Sequence, residues 1–301
     1  MLDRPLQWDE RDQLGAQDLT PVPERCRIEI LVLEGTGPQL LDGYGVGRQA
    51  RYWKSRGHRV RIQRGPRADG PRADVCLVHV DLSRVPAAYG AYARRCPLAL
   101  NSHVLDIRRR RYSSLLVAPE SRWPGPVIIK TDANSGGIPE AAYLGRRPPL
   151  ANYRIVDTLD AVPAEVWRAD DLVVERFLPE ADRGFYHVRS LQCFGRRLEC
   201  LRFRSRHPLV KFSADRQAVE PHPDILAWRA RLAVDFGKLD YVELDGQAIL
   251  LDVNKTTGAG GEDETAAERE RHRYRAAGLF DYFDGLEPYP APSSSASRAD
   301  S

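Results

Sequence analysis

The sequence predicts an α/β and α+β protein, with a small open α/β domain first and a larger, strand-rich domain after it. Three observations carry this expectation. Apolar strands and helices alternate in β-α-β-β-α-β order up to about residue 100. Beyond that point short apolar segments follow one another, and the last two are separated by Asp245-Gly246, a strong hairpin signal. The length, 301 residues, is enough for two modest domains.

Residues 1–24 are polar and Pro-containing and read as a flexible arm. Arg27-Ile-Glu-Ile-Leu-Val-Leu33 reads as a buried strand, followed by Gly-rich turns and a helix from about Gly45 to Ser55. His58-Arg-Val-Arg-Ile-Gln63 alternates like a strand, and Asp74-Val-Cys-Leu-Val-His-Val80 is a second buried one. A helix over Pro86 to Arg95 and a short strand, Pro97-Leu-Ala-Leu100, complete a first domain spanning 25–100. The second domain, 101–286, opens with a helix from about Ile107 to Val117. Strands follow at Val127-Ile-Ile-Lys130, Asp171-Leu-Val-Val-Glu175, Tyr186 to Phe194 and Leu198 to Phe203. Next come a helix from Pro223 to Phe236, the hairpin, and a charged helix from about Thr265 to Ala277. Over 287–301 the composition turns to Pro, Ser and Ala, as in a disordered tail.

Apolar content of 42% with 29% charged residues fits a globular protein, and no apolar run approaches the roughly 20 residues of a membrane span. The N-terminus lacks a basic-then-apolar signal pattern, so the expected location is cytoplasmic. Five cysteines without CxxC spacing fit reduced, buried thiols better than disulfides or zinc. A net charge of only +3 does not call for a nucleic-acid partner. Arginine dominates the basic residues; the only lysines are Lys54, Lys130, Lys211, Lys238 and Lys255. A lysine ending an apolar strand therefore stands out, because it supplies a compact point charge on a flexible stem.

The strongest chemical signal lies in the hairpin, over Gly237 to Leu244 and Gln247 to Asn254. Asp252 and Asn254 alternate with Ile249, Leu251 and Val253, which places acid and amide on one face and the apolar set on the other. Together with Asp240 they form a set of hard oxygen ligands of the kind Mg²⁺ takes, in company with phosphate oxygens. A two-residue turn at Asp245-Gly246 with regular pairing would set Asp240 and Asp252 on opposite faces. A three-residue loop, Leu244-Asp245-Gly246, with Gly246 left-handed and a bulge, makes them diagonal neighbours on one face, and the metal reading expects that odd loop.

Upstream, Lys130 ends its strand just before Thr131-Asp-Ala-Asn-Ser-Gly-Gly137, so that its ammonium and the loop N–H groups can share a phosphate. No GxxxxGK[ST] loop is present. Leu172-Val-Val-Glu-Arg-Phe-Leu-Pro-Glu180 is a strand broken at Pro179, whose open backbone can face an adenine edge with Phe177 or Leu178 beside the ring. Glu180 and Asp182, and more weakly His187, are candidates for the ribose hydroxyls.

In this order the pieces resemble the ATP-grasp superfamily: Pro126-Val-Ile-Ile-Lys130 with Asn134-Ser-Gly-Gly137, Val174-Glu-Arg-Phe-Leu178, then Asp240 and Asp252-Val-Asn254. The chain looks most like the carboxylate–amine ligases related to ribosomal-protein glutamate ligase, glutathione synthetase and D-alanine–D-alanine ligase. The resemblance implies a two-lobed ATP-grasp domain after the first domain, with ATP between two α+β lobes. Lys130 would hold the α/β phosphates under the Ser135, Gly136 and Gly137 loop, and Glu175, Arg176, Phe177 and Leu178 would hold adenine, with Asp182 at the ribose. Asp240, Asp252 and Asn254 would bind one or two Mg²⁺, or Mn²⁺, and Arg189 would sit at the transferred phosphoryl group.

The chain departs from the pattern where a second nucleotide lysine is usual: Asp106-Ile-Arg-Arg-Arg-Arg-Tyr112 offers Arg108, Arg109 or Arg111, of which Arg111 is taken as the nucleotide contact. It also has Asn254-Lys-Thr-Thr-Gly258 where Asn-x-x-Pro-Gly is usual, and His207-Pro-Leu-Val-Lys-Phe212 in place of a recognisable acceptor loop. The implied activity is ADP-forming ligation of a small-molecule or peptide carboxylate to an amine through an acyl phosphate, with no nucleic-acid or membrane partner. The alternatives are a phosphotransferase on the same fold and a non-catalytic ATP-binding module.

Overall fold

The computed structural model describes residues 25–37, 40–150, 153–210, 215–259 and 265–292. The expected arm at 1–24, the tail from 293 and part of the 207–212 segment lie outside these residues. The α/β and α+β class is the one observed.

The first sheet is parallel throughout, in the order β2-β1-β3-β4, formed by β1 (Arg27–Val32), β2 (Arg59–Arg64), β3 (Val75–Val78) and β4 (Leu98–Leu100). Helix α1 (Gly45–Ser55) connects the first two strands and α2 (Ala87–Ala93) the last two. Strands β1 and β3 are buried along nearly their whole length, as central parallel strands covered on both faces must be. Edge strand β2 alternates and carries Arg59, Arg61 and Arg64. The core beneath this sheet is shared with the C-terminal part of the chain: Trp53 is fully buried against it, its indole donates to the carbonyl of Ala276 at 2.8 Å, and Phe194, Phe236, Leu279 and Phe280 pack in the same cluster.

The segment expected to be helical from Ile107 to Val117 is not. Only a single turn, α3 (Arg109–Tyr112), is helical. The physical reason is competition for backbone hydrogen bonds. Residues after Ser113 run alongside the strand Leu172–Arg176, with Val117 N–H donating to Val174 O and Arg176 N–H to Leu115 O. That strand (β7) pairs antiparallel with β5 (Val127–Thr131), which pairs with β6 (Arg154–Val156), giving a three-stranded sheet. Between β5 and β6 lies α4 (Ile138–Tyr143), and between β6 and β7 lies α5 (Ala164–Arg168).

A six-stranded antiparallel sheet completes the molecule, in the order β11-β10-β9-β12-β13 with β8 (Glu180–Asp182) also on β9. Its members are β9 (Phe185–Phe194), β10 (Arg197–Ser205), β11 (Arg216–Ala218), β12 (Phe236–Leu244) and β13 (Gln247–Asn254). Helix α6 (Pro223–Arg231) packs on the hairpin, and α7 (Ala266–Ala277) packs on α1. Helix α7 begins with a capping box in which Thr265 and Glu268 bond reciprocally.

The link from β4 into the rest of the chain is a concentrated hydrogen-bond node. Asn101, fully buried and left-handed at φ 53°, accepts from the N–H groups of Asp235 and Phe236 and donates its amide to Phe236 O, while its own N–H reaches Asp235 Oδ2. All five cysteines are free and buried, as expected. Among the described residues no helix is long and apolar enough to cross a membrane.

Candidate functional site

The three-stranded and six-stranded sheets face each other across a cleft of about 680 Å³. Period-2 alternation decides what enters it. On β5, Val127 and Ile129 point into a small apolar core while Ile128 and Lys130 line the cleft. On β12, Leu239 and Tyr241 are buried in the core and Asp240 and Val242 line the cleft.

Strand β13 needs one more device to present Asp252 to the same space. The turn is the two-residue kind, with Leu244 paired to Gln247 and both Asp245 (φ 51°) and Gly246 (φ 76°) left-handed, as a type I′ turn requires. The expected odd loop is absent. The parity change comes instead from a bulge in the strand: Tyr241 pairs with Leu250, and the next pair is Asp240 with Asp252, leaving Leu251 as the extra residue. The two acids are thus directly opposed rather than diagonal. The core-facing residues are Leu250 and Val253, while Leu251 joins the cleft wall, which corrects the simple Ile249–Leu251–Val253 alternation.

The cleft is rich in compensated charge. Lys130 Nζ lies 2.7 Å from Glu175 Oε2, with both side chains more than nine-tenths buried. Burial pushes the Glu175 carboxyl up, but Lys130 and Arg109 outweigh it and hold the group below its ordinary value. Arg109 is the buried arginine of its run: its guanidinium reaches Asp252 Oδ1 at 3.1 Å, the Tyr153 hydroxyl, and the carbonyls of Thr131 and Ala133. Burial raises the Asp252 carboxyl more than Arg109 lowers it. Asp240 Oδ2 accepts from Lys238 Nζ at 2.7 Å, and Asp240 Oδ1 is buried with no partner among the described residues.

The phosphate loop is built at the end of β5. The Asn134 side chain accepts from Ser135 N–H, and Ser135, Gly136 and Gly137 are all left-handed, a run that glycine tolerates and other residues resist. Ser135 and Gly136 line the cleft, whereas Gly137 N–H is turned back onto Asn134 O. The loop is tied to the first domain, since Asn134 N–H donates to Ser83 Oγ, and Ser83 N–H donates to the Glu140 carboxylate.

The remaining expected residues divide clearly. Arg176, Phe177 and Leu178 line the cleft. Glu175 pairs with Ile128 in the sheet, and Arg176 and Phe177 N–H are bonded to Leu115 O and Pro126 O, so among the described residues Leu178 alone of the four shows no backbone–backbone hydrogen bond. Asp182 is exposed and near Arg183, away from the cleft lining, and Glu180 is occupied by Arg189, Arg202 and the Glu243 N–H. His187, from β9, is buried and lines the cleft.

Arg111 is also away from the cleft: it is half exposed and faces Asp106, and the arginine that lines the cleft is Arg109. Arg189 pairs opposite Tyr241 and so shares the far face of the sheet with it. There it makes ion pairs with Glu180 and Glu243, and it is not among the cleft-lining residues. Asn254 Oδ1 accepts from Thr256 N–H at 2.8 Å, and Asn254 is not among the cleft-lining residues; the Thr256 hydroxyl donates to Asp81 Oδ1 at 2.6 Å. Arg189, Arg111, Asp182 and Asn254 are therefore not brought to the cleft, whereas Lys130, the Ser135–Gly136 turn, Leu178, Asp240 and Asp252 are brought together.

Sequence reasoning did not single out Tyr153 or Lys238. Tyr153 stands between Arg109 and Lys130, with ring centroid distances of 5.8 and 5.6 Å. Lys238 had a readable signal, because two residues before Asp240 means the same strand face.

Among the described residues no three His, Cys, Asp or Glu side chains gather as a metal cluster. The donor set nevertheless fits a cation shared with phosphate: the orphaned buried Asp240 Oδ1 and the facing Asp252 carboxylate are hard oxygen donors, and Mg²⁺ commonly takes only one or two carboxylates with phosphate and water.

No protein-family model and no curated protein matches the sequence. Solved structures align along most of it. A RimK domain ATP-grasp protein from Sphaerobacter thermophilus is 13% identical with a TM-score of 0.48, over 84% of this chain and 98% of that one. D-alanine–D-alanine ligase from Bacillus anthracis is 11% identical with a TM-score of 0.46, over 86% and 96%. A RiPP-associated ATP-grasp ligase from Chryseobacterium gregarium, in complex with ADP and a leader and core peptide, is 11% identical with a TM-score of 0.45, over 88% and 99%.

Proposed function

We propose that the chain is an ATP-grasp carboxylate–amine ligase that binds ATP in the cleft between its two antiparallel sheets and works through an acyl phosphate. One observation carries the reading: Lys130, Arg109, Asp240, Asp252 and the Ser135–Gly136 turn, drawn from distant parts of the sequence, line a single cleft of about 680 Å³. A volume of that size suits a nucleotide, and its walls include many apolar residues (Ile128, Leu115, Val188, Val242, Leu251) beside the charged ones.

In this reading the adenine lies along the apolar wall with its edge toward Leu178. Lys130 turns its ammonium from Glu175 to the phosphates, the Glu175 carboxylate having held it at the cleft wall. Arg109 takes the place of the second nucleotide lysine. Asp240 and Asp252 hold Mg²⁺, which when bound supplies charge neutralisation at the phosphates. The substrate carboxylate attacks the γ-phosphoryl group, ADP leaves, and an amine displaces phosphate from the acyl phosphate. The protein's part is positioning and electrostatic stabilisation, and no side-chain nucleophile is required.

The test is ADP and phosphate release from Mg²⁺-ATP with pooled carboxylates and amines. Lys130→Met and Asp252→Ala each remove a charge from the phosphate end, and a loss of about 2.7–4 kcal/mol in transition-state stabilisation is expected on the scale of a lost oxyanion donor. Turnover and ATP affinity unchanged in both variants would overturn the assignment. Phosphate transfer to a stable product without amine dependence would favour the phosphotransferase.

A further inference from the structure

Lys130 and Arg109, the two cations assigned to the phosphates above, share one aromatic side chain. The Tyr153 ring centroid lies 5.6 Å from Lys130 Nζ and 5.8 Å from Arg109 Cζ, and the Tyr153 hydroxyl accepts from Arg109 at 3.1 Å. Tyr153 itself lines the cleft. Its place follows from strand pairing. The β5–β6 ladder runs from Val127 with Val156 to Ile129 with Arg154, and one step further along both chains sets Tyr153 across from Lys130. Residues opposed in this way point to the same side of a sheet, which for Lys130 is the cleft side.

The hydroxyl is half used. A phenol can both accept and donate. Its oxygen serves Arg109, while its proton meets no acceptor among the described residues. Burial raises its pKa above the ordinary value, and Asp252, Glu175 and Asp240 add to this against the opposing effect of Arg109, so the proton stays in place at neutral pH. Arg109 does not depend on this contact, since its guanidinium also holds Asp252 Oδ1 and the carbonyls of Thr131 and Ala133. The side chain is 37% exposed, so a ligand in the cleft can reach it. Two cations and one uncommitted O–H donor around the same space suit an anion with several oxygens, because a hydrogen bond to a charged oxygen is stronger than one between neutral groups.

Resting on the nucleotide reading above, we propose that Tyr153 is a phosphate-binding residue of the cleft, its hydroxyl donating to a phosphate oxygen of the bound nucleotide beside Lys130 and Arg109. It supplies what neither cation can: a neutral donor adds a hydrogen bond to the phosphates without adding to the repulsion between Lys130 and Arg109.

The experiment separates direct contact from support of the arginine. Binding of a non-hydrolysable ATP analogue with Mg²⁺ to the full chain is measured by calorimetry. The proteins compared are the unaltered chain, Tyr153→Phe, Tyr153→Leu, Arg109→Met and the double variant Arg109→Met, Tyr153→Phe, each shown by circular dichroism to be folded. Tyr153→Phe keeps the ring and should weaken binding about tenfold, the scale of a lost hydrogen bond to a charged group. The same factor should separate Arg109→Met from the double variant, because the hydroxyl bonds the phosphate itself. Affinity of Tyr153→Phe within about twofold of the unaltered chain would overturn the proposal. So would a loss seen in Tyr153→Leu alone, which assigns the effect to the ring. A factor that vanishes in the Arg109→Met background would also overturn it, since the hydroxyl would then act only by placing that guanidinium. In each of these cases the unaltered chain binds the analogue and the nucleotide reading stands. Failure of the unaltered chain to bind removes the nucleotide reading, and the proposal with it. The comparison with Tyr153→Phe can refute the proposal on its own even where an Arg109 variant does not fold.

Discussion

Lys130→Met should act on stability as well as on nucleotide binding, and the two effects can be separated. In the native protein Lys130 and Glu175 lie 2.7 Å apart with side chains 8% and 1% exposed. Glu175 is held below its ordinary value of 4.5, so it contributes stability that is present above that value and lost as pH falls through its lower folded pKa. Replacing Lys130 alone removes the main attractive partner and leaves burial dominant. The carboxyl then rises above its unfolded value, and the cost grows as pH increases past that value.

Breaking a buried pair in this way costs about 3–5 kcal/mol, and the nearby Arg109 places the expectation toward the lower end, about 3 kcal/mol at pH 8 with a smaller loss at pH 5. The double variant Lys130→Met, Glu175→Gln removes both charges and should recover to within about 1 kcal/mol of the native protein, because an apolar replacement of a buried pair is often neutral. Both variants should bind ATP more weakly than the native protein. Urea unfolding of the three proteins at both pH values, followed by tryptophan fluorescence, gives the comparison. A single-variant cost under about 1 kcal/mol at pH 8, or a double variant no more stable than Lys130→Met, would refute the argument that the pair is buried, charged and mutually dependent.

Three further outcomes follow from particular residues. Arg109→Met should weaken ATP-analogue binding by at least about tenfold, whereas Arg111→Ala, half exposed on Asp106, should stay within about twofold; calorimetry on both decides which arginine serves the cleft. Lys255 is buried, donates to Leu82 O at 2.6 Å, and is lowered from 10.5 to about 8 by burial. Between those values the unfolded chain keeps a proton that the folded one has released. Stability relative to Lys255→Met should therefore rise with pH over that window, by on the order of 3 kcal/mol in denaturant titrations, and a flat difference would contradict the burial argument. Gly246→Ala meets nothing within 4 Å but must hold a left-handed φ of 76°; it should cost about 1 kcal/mol in thermal stability and leave nucleotide affinity unchanged.

What could be read in advance depended on whether a residue's role is set locally. The strands around Ile128, Cys76 and Leu239 are visible because short apolar runs have one stable use in a domain this size. Lys130 could be picked out because the chain uses so few lysines. The turn at Asp245-Gly246 was recognisable from its chemistry, yet the bulge at Leu251 was not, because nothing in Leu-Leu-Asp distinguishes an extra residue from a paired one until β12 is laid beside it. The placing of Arg189 was illegible for the same reason: its face is set by pairing with Tyr241 across β9 and β12, a register that sequence does not print. The segment after Arg109 looked helical on pattern alone. It lost that form to the edge of β7, a partner some sixty residues away.

The bulge has a practical consequence for handling the protein. Because the facing of Asp240 and Asp252 is completed by the bulge between Tyr241 and Asp240, the exposed tip at Asp245-Gly246 has only to preserve the parity of the ladder. The tip is therefore a place where a label or a short insert in an even-numbered extension of the ladder can be attached without reorienting the acids. A reporter there would sit on the same hairpin as the two facing acids, Asp240 and Asp252.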